Sequence, residues 1–128
     1  MKIKSIPFKT ANWMMWLLRI GISATFFGHG INAMLIKANW IPLITTFGFS
    51  VNFAIQVMPI IGILDVLVAL SILIYPMPKV LLWAIFWAFI TALARPMAGE
   101  PILEFIERAS NWIAPLVLYL MIKKADKQ

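Results

Sequence analysis

The residues with chemistry in them are concentrated in "TALARPMAGEPILEFIERASN", from Thr91 to Asn111. Arg95, Glu100, Glu104, Glu107 and Arg108 are five of the sixteen charged side chains in a chain that is 62% hydrophobic. Two guanidiniums beside carboxylates permit two arrangements. They can clamp an anionic or carbonyl ligand while an acid exchanges its proton. They can also pair with one another and staple two helices together. The sequence leaves both open. Glu100 has a third use, complementing the dipole of a helix that starts beside it.

Three further residues stand out. His29 lies in "FFGHGINAM" between Gly28 and Gly30. It suits a proton relay, a donor to a quinone carbonyl, or an interhelical hydrogen bond that the glycines make room for. A single His supplies no bis-His haem site, so quinone is a better cofactor candidate than haem. The paired Glu-x-x-His pattern of di-metal bundles is absent, so no metal is assigned. Asp65 in "IIGILDVLVALSIL" is the deepest acid, and Arg19 the deepest base. Each suits an intramembrane charge pair with the other, and Asp65 alternatively a proton carrier. The chain has no Cys, which removes disulfides and thiolate chemistry. No catalytic residue is assigned, and the chain reads as a component rather than an enzyme on its own.

The elements that must hold these residues are apolar helices. Only 12% of residues are charged, about half the usual share of a soluble domain. The 128 residues suit a single domain. Spans of roughly 20 residues cross a bilayer, and the pattern predicts four: about 13–36, 53–75, 79–95 and 101–122. "YPMPK" and "RPMAGEP" break the chain at prolines. "KANWIPLITTFGFSVN" suits an irregular or re-entrant loop. The fold class is therefore all-α, a four-helix transmembrane bundle.

The net charge of +6 does not point to nucleic acid, because the lysines flank the spans instead of forming a polar patch. Lys2, Lys4, Lys9, Lys79, Lys123, Lys124 and Lys127 fall on one side, which makes both termini cytoplasmic. The basic start resembles a signal peptide, but Arg19 interrupts the apolar run, so a retained anchor is expected. Trp13, Trp16, Trp40 and Trp112 suit interfacial belts, with Trp40 and Trp112 also eligible to wall an outer pocket.

Helical geometry then sorts the charges. In the third span Ala84, Ala88, Thr91, Ala92 and Arg95 share a small face that suits the bundle interior, while Trp83, Phe86, Trp87, Phe89 and Ile90 suit lipid. In the fourth, Glu100, Glu104, Glu107, Asn111 and Ala114 form an inward stripe. Counting from the cytoplasmic ends places His29 and Arg95 at about 24 Å and Glu107 at about 22 Å. Asp65 falls at about 15 Å and Arg19 at about 9 Å. The expected outer pocket therefore holds His29, Arg95, Glu104, Glu107 and Arg108, with Arg19 and Asp65 paired beneath.

"LLRIGISATFFGHGINAM", with Arg19, His29 and Gly30, resembles the first span of the DoxX-like family of small bacterial four-helix membrane proteins. "GILDVLVALSILI" resembles its second span, with Asp65 where Glu is common. "WAFITALARPMAGEPILEFIERASNWIAPL" resembles a later block of a DoxX-related subgroup. The resemblance implies a multi-pass protein of the bacterial inner membrane. Some members serve quinone-linked sulfur oxidation; others associate with redox or stress-defence complexes. It thus implies an accessory or quinone/lipid-interacting subunit with a redox partner. The alternatives are a small transporter-like homo-oligomer and a purely structural subunit of a larger membrane complex.

Overall fold

The computed structural model describes residues 8–126, and among them the chain is helical with no strand. Its elements are α1 (Phe8–Met34), a 3-10 turn (Ala38–Trp40), α2 (Ile41–Thr45), α3 (Val51–Ile74), α4 (Pro78–Met97), α5 (Leu103–Ile106) and α6 (Ala109–Asp126). α3 and α4 are each long and apolar enough to cross a membrane. Lys2, Lys4 and Lys127, which entered the charge count above, lie outside the described residues.

The predicted boundaries hold for α3 and α4 to within two residues. α1 begins at Phe8, earlier than predicted, and the fourth predicted helix is broken in two. The cause of that break is local. Arg108 turns its guanidinium back onto the Glu104 carbonyl at 2.8 Å. An unbroken helix would give that carbonyl to the Arg108 N–H. The N–H bonds Phe105 O instead, and Asn111 N bonds Arg108 O, so the backbone tightens by one residue at 107–108.

α1 packs most extensively on α3, and α4 on α6, while the α3–α4 contact is sparse. The two pairs therefore face each other. Gly30 and Gly62 bring the α1 and α3 backbones together. A Cβ on Gly62 would lie 2.5 Å from Gly30 O and 2.7 Å from Met34 N. Ser23 adds a buried bond to Ala69 O at 2.8 Å. α3 buries Ala54, Met58, Gly62, Asp65, Ala69 and Ile72, a stripe at helical period. α4 buries Ala84, Ala88 and Ala92, as its small face predicts.

The half of the molecule containing the α1 N-terminal turns is filled at its centre. Ile22, Phe26, Ala69, Ile72, Leu81, Ala84, Ala88 and Leu118 close into one core. The other half, where residues 35–50 fold over the helix ends as a cap, is hollow. Outside, large apolar side chains stay exposed on all four long helices, among them Leu17, Phe27, Ile60, Leu67, Leu82, Phe86, Val117 and Leu120.

Candidate functional site

The site starts at two helix ends. α4 ends on Gly99, whose φ of +97° an L side chain rarely adopts. Gly99 N bonds Pro96 O and Glu100 N bonds Arg95 O, a Schellman closure. The turn swings Glu100 back beside Arg95, and the side chains meet at 3.5 Å. α1 ends with the same pair of bonds, Ile36 N to Ala33 O and Lys37 N to Asn32 O. Here the left-handed residue is Ile36, at φ 53°. A β-branched side chain there stores about 1–2 kcal/mol of strain. The turn launches the cap, and Thr46 donates to Met97 O at 2.8 Å to fasten that cap to the end of α4.

Beneath the cap lies a cavity of about 360 Å³. Its walls are mostly apolar: Phe26, Leu43, Phe47, Phe53, Met58 and Ile61 are representative. The polar groups are few and come from every long helix. His29 and Thr25 enter from α1, Asp65 from α3, Thr91 and Arg95 from α4, and Arg108 and Asn111 from the break and start of α6. An apolar chamber of this size with a few convergent polar groups has the general form of a small-molecule site.

Each polar group is held differently. Arg95 has the ion pair to Glu100 as its one side-chain polar contact among the described residues. Arg108 is more firmly held, with 2.7 Å to Glu104 Oε2 besides the carbonyl bond. The His29 ring meets Trp40 edge-to-face, centroids 5.6 Å apart, and makes no hydrogen bond to a neighbouring helix among the described residues. Asp65 is 5% exposed, with the Trp87 indole as its polar neighbour and no ion pair among the described residues. Leaving a carboxyl buried without a charged partner is costly. Facing a chamber gives it access to a ligand or to water.

The structure brings His29, Arg95 and Arg108 together, as the helix levels predict, and adds Asp65 to the same chamber. It separates others. Glu107 is exposed and Glu104 does not line the cavity. The break at 107–108 interrupts the predicted stripe, so residues before and after it share no continuous face. Arg19 does not pair with Asp65. Its guanidinium donates to Ile72 O at 3.1 Å, Leu73 O at 2.5 Å and Ile74 O at 3.1 Å, and stacks 3.8 Å over Trp16. The last carbonyls of a helix lack intrahelical donors, and three of them outcompete one carboxylate two turns away.

Sequence reasoning missed the apolar walls. Trp87 and Ile90, assigned to lipid, line the chamber, and Phe89 packs edge-on against Phe105 and Trp112. Trp40 walls the chamber; Trp112 does not, and its buried indole N–H has no partner among the described residues. A signal was present in "NWIPLITTFGF", which is too apolar for a loop bathed in water.

No protein-family model matches the chain, and no curated protein or solved structure matches it either. The chemistry of the chamber rests on its own residues. They include no activated nucleophile, and among the described residues no three His, Asp or Glu side chains converge on a metal site. They offer two guanidiniums, an imidazole, a carboxyl and hydroxyls in apolar surroundings. That set has the chemistry to bind and orient a polar head and to exchange a proton with it.

Proposed function

We propose that this is a four-helix membrane protein of the DoxX-like kind, with both termini cytoplasmic, whose outer chamber binds an amphiphile with an anionic or carbonyl head. The chamber carries the reading: apolar walls with Arg95, Arg108, His29 and Asp65 as its charged and titratable lining. Arg95 and Arg108 orient the head, and His29 or Asp65 exchanges a proton with it. Such a ligand is a quinone or a lipid, and the resemblance in the first two spans supports service to a redox partner in the bacterial inner membrane.

Membrane insertion is supported by the apolar side chains exposed on all four long helices and by two helices of spanning length. Soluble monomers rarely leave so much apolar surface bare. A chain without Cys makes orientation simple to test. Single cysteines replacing Lys79 and Lys124 should react only with a reagent that crosses the membrane, and one replacing Gly99 with an impermeant reagent added outside. The reverse pattern would overturn the orientation.

The binding reading is tested by purifying the protein in mild detergent and identifying retained molecules by absorption and mass spectrometry. Retention of a quinone or lipid by wild type and its loss from Arg95→Gln support it. Wild-type protein that is empty, with no electron-transfer partner, would sink it. Asp65→Leu sharpens the result. It removes a buried carboxyl and should stabilise the empty protein by about 1–2 kcal/mol while abolishing retention. A structural Asp65 would give destabilisation instead, read by thermal unfolding.

A further inference from the structure

We infer that the ligand is a single-chain amphiphile whose apolar tail leaves the chamber sideways, through a groove between α1 and α6 that opens on the bare apolar surface. This rests on the chamber being the binding site and goes beyond it by naming where the tail lies.

A second hollow of about 360 Å³ runs along Leu17, Leu18, Gly21, Ile22, Thr25 and Phe26 of α1 and along Ser110, Asn111 and Ala114 of α6. Thr25, Phe26 and Asn111 also line the chamber, so the two spaces adjoin at those side chains. From Thr25 to Leu17 the groove follows α1 for about 12 Å. Leu17, Leu18, Ile22, Phe26 and Ala114 make its walls mainly apolar, the Thr25 and Ser110 hydroxyls and the Asn111 amide are its polar part, and a Cβ placed on Gly21 meets nothing within 4 Å. Leu17 and Ile20 stand exposed beside it.

Phe26 belongs to the core, and the shared groups that can yield are Thr25 and Asn111. Thr25 satisfies its hydroxyl on Gly21 O of its own helix and binds nothing across the groove. Pro115, one turn beyond Asn111, has no N–H for the Asn111 carbonyl. The 107–108 break lies just before this segment. Two basic side chains in the chamber and an uncharged groove leading away from it match a negative head with one apolar chain. A compact water-soluble molecule would leave the groove empty.

The test uses full-length protein in lipid nanodiscs and two photoaffinity probes, dodecanoate and hexanoate, each with a diazirine at the chain end. Dodecanoate should label the peptides holding residues 17–22 and 110–114, competed by unlabelled dodecanoate. Hexanoate should label residues 40–53, from the cap into the start of α3. Gly21→Phe, which fills the open groove, should cut dodecanoate labelling there by about tenfold or more and leave hexanoate labelling unchanged. Dodecanoate labelling confined to the cap, or a groove signal untouched by Gly21→Phe, overturns the inference and leaves the chamber as the site. No competable labelling by either probe overturns both. If Gly21→Phe does not fold, the wild-type map decides alone.

Discussion

Arg19 and Arg95 sit at opposite ends of the molecule and are used in opposite ways. Arg19 gives its donors to three carbonyls at the end of α3 and its face to Trp16. Three of its five N–H donors are thereby taken. Arg95 faces a chamber and keeps one loose ion pair, 3.5 Å to Glu100. The half around Arg19 uses charge to finish a helix. The hollow half around Arg95 holds charge in reserve. An arginine among apolar helices is therefore no functional signal by itself, and the difference lies in how many of its donors the protein already occupies.

The contrast can be broken by mutation. The largest effect should come from Gly62→Ala, which touches the framework both arginines depend on. Its Cβ would meet backbone of α1 at 2.5 Å and 2.7 Å, so the helix pair must separate. A loss of about 3 kcal/mol or more is expected in denaturant unfolding, with ligand retention lost as well. Arg19→Met comes next. It strips donors from the α3 end and should cost about 1–3 kcal/mol, while the folded fraction keeps its ligand. Ligand loss without destabilisation would reverse the assignment of Arg19.

Ile36→Gly should raise stability by about 1 kcal/mol in thermal unfolding, because glycine accepts the left-handed turn without strain. The matching Gly99→Ala should lose about as much. The two Schellman turns would thereby be shown to differ only in strain. The smallest stability effect belongs to Arg95→Gln. The pair is long at 3.5 Å and its Glu100 side is 39% exposed, so its loss should cost about 1 kcal/mol and lower the melting only slightly although the ligand is lost.

Much of this was legible beforehand because it depends on period and punctuation. The small face of α4 follows from helical spacing, and prolines mark both breaks around α4. The turn at 107–108 was not legible, since no Gly or Pro stands there and an arginine's own guanidinium takes the carbonyl. Arg19's partner was not legible because helix-end carbonyls carry no residue signature. The level of His29, Arg95 and Arg108 could be counted, but the chamber beside them could not. It exists because an apolar loop folds back over the helix ends.

The central claim is that Arg95 holds a ligand and Arg19 holds the fold. Native mass spectrometry of wild type, Arg95→Gln and Arg19→Gln, prepared identically, measures it directly. A bound amphiphile should remain on wild type and on folded Arg19→Gln and be missing from Arg95→Gln, whose melting temperature stays near that of wild type. Equal occupancy in wild type and Arg95→Gln would contradict the claim.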